Sequence, residues 1–74
     1  MIEQKVTQII ADIKQWPRNV IKPEDTFQEL SMDSLAIAET IVICEKMFDI
    51  KIDETFNLVK VKDLVEAVEG LVWN

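Results

Sequence analysis

Val61, Leu64, Val65, Val68 and Val72 recur at steps of three and four residues, the spacing at which side chains share one face of a helix. Lys62, Asp63, Glu66 and Glu69 fall outside that stripe. A segment written this way is stable only with its apolar face on a core. Two further stretches carry the same period. From about Ile2 to Gln15, the residues Ile2, Val6, Ile9, Ile10 and Ile13 share one face, and Lys5, Gln8, Asp12 and Gln15 the other. Pro17 ends that pattern, because it lacks an N–H and biases Trp16 away from helix. From about Ser34 to Phe48, the residues Ile37, Ile41, Cys44 and Phe48 form a narrow stripe. Strand-like alternation is confined to Ile50-Lys51-Ile52. The expected class is all-α, a small four-helix bundle of three main amphipathic helices plus one short helix before the last. Asp53 is placed to cap that short helix over Glu54-Thr55-Phe56-Asn57. Gly70 interrupts the last helix late or marks where it frays. Propensity alone does not hold such helices in water, so mutual burial must.

The 74 residues suffice for one domain, 1–74. A domain of this size buries only about 60–65% of the surface its unfolded chain exposes, which leaves little room for a deep catalytic pocket. The chain has no histidine and one cysteine, Cys44. A His-based triad or Cys-His pair is therefore impossible within it, as are an ordinary Cys/His zinc site and an internal disulfide. Gly70 is the only glycine, so no glycine-rich phosphate loop exists, and Asp49-Ile50-Lys51-Ile52-Asp53 lacks the turn glycine of a calcium loop. The net charge of −6 argues against nucleic acid and anionic membranes and favours partners with basic surfaces. The longest apolar run, Ile41 to Cys44, is far short of a membrane span. The first residues carry acid early and show no signal-peptide pattern. A cytoplasmic monomer that is not an enzyme is the expectation.

The connection from Trp16 to Asp33 is long for a chain of this length. Val20, Ile21, Phe27 and Leu30 are spaced to pin it to the core, and Pro23-Glu24-Asp25-Thr26 reads as a turn. It ends in Phe27-Gln28-Glu29-Leu30-Ser31-Met32-Asp33-Ser34-Leu35. An Asp-Ser pair at a helix start is, by itself, an ordinary cap. The stretch also resembles the acyl and peptidyl carrier protein family, in which an aromatic residue and a Leu precede a tight turn and Asp-Ser-Leu opens the second helix. The resemblance continues through Glu39, Glu45 and Phe48-Asp49-Ile50-Lys51-Ile52, and again at Val61-Lys62-Asp63-Leu64-Val65.

That resemblance implies a carrier without catalytic residues of its own. Ser34 would receive a 4′-phosphopantetheine arm from a phosphopantetheinyl transferase, and the adjacent Asp33 would take part in transferase recognition. The arm would carry acyl groups as thioesters to acyl-loading and acyl-processing enzymes of fatty-acid, polyketide or related pathways. A helix N-terminus suits a phosphodiester, since its free N–H groups and partial positive charge favour an anion. Leu35, Ala38 and Val42 lie opposite the core stripe of the second helix, with Glu39, Glu45 and Lys46 beside them. The bland reading is a helix buried on more than one side. The functional reading is a docking strip of Leu35, Ala38, Glu39, Val42 and Glu45, matching the face the family uses. Cys44 reads as core, Met32 as a loop residue that is partly exposed or meets a partner, and Trp16 and Trp73 as core edge.

The chain departs from the family pattern at three points. Ser31 stands where many members have Gly, and because Ser tolerates positive φ poorly a turn of different shape is expected. Ala36 and Lys46 occupy positions that are commonly acidic, which makes the docking helix more apolar. Both interhelical connections are shorter than in the common fatty-acid type, which suggests a dedicated pathway. A peptidyl or D-alanyl-type aminoacyl carrier shares the same residues. An unmodified acidic helical adaptor would share the bundle and the apolar strip.

Overall fold

A computed structural model describes residues 2–53 and 56–73. The helices are α1 (Ile2–Lys14), α2 (Ser34–Phe48) and α3 (Val61–Trp73), and a 3-10 turn spans Arg18–Val20. No strand occurs among the described residues; an isolated antiparallel bridge pairs Thr26 with Lys60. The all-helical class is as expected, while the 3-10 turn carries no periodic signal and was not anticipated. The expected short helix before α3 includes Glu54 and Thr55, which lie outside the described residues. Ile2, Phe48, Val72 and Trp73 line one shallow cavity, so the start of α1 meets the ends of α2 and α3. Thus α2 and α3 run parallel to each other and antiparallel to α1, and Ser34 sits at the opposite end of the bundle.

All three stripes reach the core, with differences. In α1, Val6, Ile9 and Ile10 are buried, and so are Ala11 and Thr7. Thr7 hides its hydroxyl by donating to the Glu3 carbonyl at 2.9 Å. In α3, Val61, Leu64, Val65, Ala67 and Val68 are buried, and the helix continues through Gly70 to Trp73. The expected break at Gly70 does not occur, because a single glycine lowers helix stability without removing a hydrogen bond. Trp73 is 78% exposed and so is not core edge; Trp16 is also exposed. In α2, Cys44 is fully buried while Ile37, Ile41 and Phe48 are partly so. Thr40 joins Cys44 in full burial, its Oγ1 donating to the Ala36 carbonyl at 2.8 Å. A hydroxyl bonded back to its own helix presents only its methyl to the core. α1 touches both other helices broadly, whereas α2 and α3 touch each other least.

The long connection is held by burial and by backbone bonds. Ile21, Phe27, Leu30 and Met32 are buried, each burial worth about 2 kcal/mol. Val20 does not help to pin it, being 49% exposed at the end of the 3-10 turn. A turn does form at Pro23-Glu24, closed by Asp25 N–H donating to the Lys22 carbonyl at 3.0 Å. Phe27 N–H donates to the Val59 carbonyl at 3.0 Å, Val61 N–H to Asp25 at 2.9 Å and Lys62 N–H to Pro23 at 2.9 Å. These bonds stitch the connection to the start of α3. Asp63 completes the join, its carboxylate accepting from the N–H groups of Val59 and Lys60 at 3.0 and 2.8 Å.

Among the described residues, three other than glycine adopt left-handed backbone: Gln15 (φ 59°), Ser31 (φ 57°) and Asp49 (φ 54°). Each closes a helical turn. After α1, Trp16 N–H reaches the Ala11 carbonyl at 3.0 Å, and after α2, Ile50 N–H reaches Glu45 at 3.1 Å. Such ends favour glycine, yet the one glycine lies inside α3, where a Cβ would meet nothing within 4 Å. Gly70→Ala should therefore raise stability by about 0.5–1 kcal/mol, read from denaturant unfolding. The backbone N–H groups of Lys60 and Val59 hold the Asp63 carboxyl below its ordinary value of 3.8. A depressed carboxyl contributes stability above its unfolded pKa and loses it as pH falls through the folded one. Asp63→Asn should accordingly flatten the acid limb of the stability curve below about pH 4; an unchanged limb in a pH series of thermal melts would contradict this.

Candidate functional site

Thr26 and Glu29 form a reciprocal cap: Thr26 N–H donates to Glu29 Oε1 and Glu29 N–H to Thr26 Oγ1, both at 2.9 Å. This Thr-x-x-Glu box opens one helical turn over Phe27 to Leu30, and it draws the Glu29 carboxyl below its ordinary value. The turn closes with Ser31 N–H on the Gln28 carbonyl at 3.0 Å and Met32 N–H on Phe27 at 2.9 Å. That pair of bonds, with left-handed Ser31 between them, is a Schellman closure, and the buried pair Phe27 and Met32 supplies its usual apolar contact. Ser31 does take the positive φ that serine tolerates poorly, a conformation that glycine would hold at lower cost, about 1 kcal/mol less. Met32 is neither exposed nor available to a partner; it is 5% exposed and forms part of the core.

The chain then enters α2. Asp33 is the N-cap, extended at φ −80° and ψ −179°. Its Oδ1 accepts from Ala36 N–H at 2.8 Å, and its carbonyl from Ile37 N–H at 3.0 Å. Ser34 is the first helical residue and is exposed. Capping therefore falls to Asp33, and the Ser34 hydroxyl has no hydrogen-bond partner among the described residues. It stands at a helix N-terminus, where the partial positive charge is about half an elementary unit. This chemistry fits a phosphodiester: an uncommitted hydroxyl, solvent access, and the N–H groups of Ser34 and Leu35 at the helix mouth.

Beside Asp33 lies an open apolar groove of about 510 Å³, bordered by Phe27, Met32, Ile37, Leu58 and Val59 among others. Ile37 alone joins it from the stripe formed by Ile37, Ile41 and Cys44; Cys44 and Val68 are fully buried and Val65 is 5% exposed. On the outer face of α2, Leu35, Ala38, Glu39, Val42 and Ile43 share a shallow depression. Leu35 is 66% and Val42 46% exposed. The structure brings four of the five expected docking residues together there. Glu45 is set apart: its carboxylate accepts from Ile52 N–H at 2.8 Å and holds the α2–α3 connection. Ile43 and Met47, both exposed, extend the apolar surface beyond the expected strip. Their four-residue spacing off the core stripe was the sequence signal for them.

The family described as "Phosphopantetheine attachment site" (PP-binding) matches residues 4–68. An acyl carrier protein of Nitratidesulfovibrio vulgaris (strain DP4) is 36% identical over 72 residues, covering 93% of this chain and 95% of that protein. One of Streptococcus thermophilus (strain CNRZ 1066) is 39% identical over 66 residues, 89% of each chain. One of Lactococcus lactis subsp. cremoris (strain MG1363) is 35% identical over 67 residues, 90% of this chain and 92% of that protein. The chain belongs to the phosphopantetheine-attachment family of acyl carrier proteins. It is a carrier and not a catalyst, phosphopantetheine is its cofactor, and its work is done with synthase and processing enzymes. No helix among the described residues is long and apolar enough to cross a membrane.

Cys44 does not belong to the site. It is fully buried, and burial, with Glu45 adding to it, pushes its thiol up to about 11. The thiolate is the reactive form, so Cys44 should resist alkylation in the folded protein at neutral pH and react fully in denaturant. Rapid native labelling, followed by intact mass, would contradict the buried placement.

Proposed function

We propose that Ser34 is the attachment residue and that the chain carries acyl intermediates of fatty-acid or polyketide type. The observation that supports this most directly is the division of labour at the start of α2. Asp33 takes the capping bond, so the neighbouring hydroxyl remains free at the positive helix end. Asp33 keeps its carboxylate exposed beside that hydroxyl, within reach of a transferase that docks there. When bound, phosphopantetheine supplies a terminal thiol on which an acyl group is held as a thioester, activated for transfer. The residues of the chain contribute placement. Asp33 and the Phe27–Met32 turn orient Ser34, and the apolar groove bounded by Met32, Ile37, Leu58 and Val59 offers cover to an apolar chain leaving Ser34. Relatives named as acyl carrier proteins over about nine-tenths of the chain support an acyl over an aminoacyl cargo.

Leu35, Ala38, Glu39 and Val42 form the docking strip in this reading, joined by Ile43. Glu45 supports it from behind by fixing the following loop. With Glu39 as the acid in the depression, partner contact is mainly apolar.

Incubation with coenzyme A and a broad-range phosphopantetheinyl transferase should add one phosphopantetheine mass, and Ser34→Ala should abolish it. No addition to the wild-type chain would overturn the attachment reading, and exclusive loading by aminoacyl-activating enzymes would transfer it to an aminoacyl carrier. Leu35→Ala and Val42→Ala should each raise the KM of an acyl-processing partner several-fold. A tenfold rise in ionic strength should change that KM by less than about twofold; a steep salt dependence would show that charge, not apolar contact, governs docking.

A further inference from the structure

We propose that Lys14 is a positioning residue for the modification of Ser34, acting through the left-handed turn at Ser31; this rests on Ser34 being the attachment residue. Lys14 closes α1, and its ammonium donates to the Ser31 carbonyl at 3.3 Å across a sequence separation of 17. The same ammonium lies 4.8 Å from the centre of the Trp16 ring. Trp16 is itself fixed by its N–H bond to the Ala11 carbonyl at 3.0 Å, which left-handed Gln15 (φ 59°) makes possible. One left-handed residue thus places the lysine that holds another.

Ser31 needs that hold. Its φ of 57° disfavours any residue with a Cβ, and only Met32 and Asp33 separate it from Ser34. Leaving the left-handed region would swing the Ser31 carbonyl away and break the closure made by Met32 N–H. Asp33, whose carboxylate caps Ala36, would then enter the helix from a different direction. A cation on the carbonyl selects the orientation in which Met32 is buried and Ser34 stands at the helix mouth. A contact of this kind adds little to global stability. Its effect falls on the placement of an exposed hydroxyl in a transferase site, where small displacements slow the reaction.

The test is a cycle of Lys14→Met, Lys14→Arg, Ser31→Gly and the Lys14→Met/Ser31→Gly double variant, each modified by the transferase with coenzyme A. Lys14→Met keeps the apolar stem on Trp16 and removes the donor. It should lower kcat/KM for the carrier about fivefold, with the KM for coenzyme A unchanged, and Lys14→Arg should restore most of the rate. In the Ser31→Gly background, where glycine holds the turn unaided, Lys14→Met should have no further effect beyond about twofold. A wild-type rate in Lys14→Met, or an equal loss in the glycine background, would overturn the proposal. If the wild-type chain itself accepts no arm, the attachment reading falls separately. Hydrogen exchange then decides the hold on the turn: faster exchange at Met32 N–H in Lys14→Met, reversed by Ser31→Gly, supports it, and unchanged exchange refutes it.

Discussion

Burial of Phe27, with Leu30 and Met32 behind it, is the constraint on which the remaining architecture depends. These residues belong to no long helix, yet they occupy the core between the helices. Ordering a connection of this length costs about 1–2 kcal/mol per residue, and periodic helices alone give no reason to meet that cost. Apolar burial and the bonds from Phe27, Val61 and Lys62 to facing carbonyls tie the connection to the start of α3. Once it is tied, the start of α2 has nowhere else to go. The exposed end of the bundle is therefore placed largely by what lies beneath it.

The weakest helix contact is the one between α2 and α3. α1 supplies a common floor for both, and the α2–α3 connection is held partly by polar links, Glu45 to Ile52, Asp63 to Val59 and Lys60, and Phe27 N–H to the Val59 carbonyl. The open groove lies on that side of the molecule, bounded by Ile37 on α2 and by Leu58 and Val59 ahead of α3. Local opening there disturbs fewer buried contacts than opening either seam with α1, as expected of the low-stability parts of a fold.

Much of the fold was legible in the sequence because apolar residues at helical spacing leave few choices. The bounds of α2 and the faces of α1 and α3 follow from that spacing. Thr7 and Thr40 were missed because a pattern counted in apolar residues cannot see a threonine that hides its hydroxyl in its own helix. Gly70 misled in the opposite direction, since glycine permits an end without requiring one. The candidate site was legible as a motif, Asp33-Ser34-Leu35, but not as geometry. Which residue caps and which remains free depends on backbone angles at Asp33, and the role of Glu45 depends on a partner seven residues away whose N–H no periodicity marks. Position 31 was marked by the resemblance as one where many members have Gly, but that Ser31 would itself take the left-handed conformation was not legible.

A vehicle for reactive esters is endangered by its own nucleophiles. A sulfur atom able to approach the cargo would accept it in an exchange that is nearly neutral in energy, and the delivery would stall on the wrong atom. The chain contains a single cysteine, and the fold seals it at Cys44, uncharged and without solvent contact. With no histidine present either, the protein has little of its own that can intercept an acyl group. Its chemical silence serves a carrier as much as the open hydroxyl proposed for attachment does.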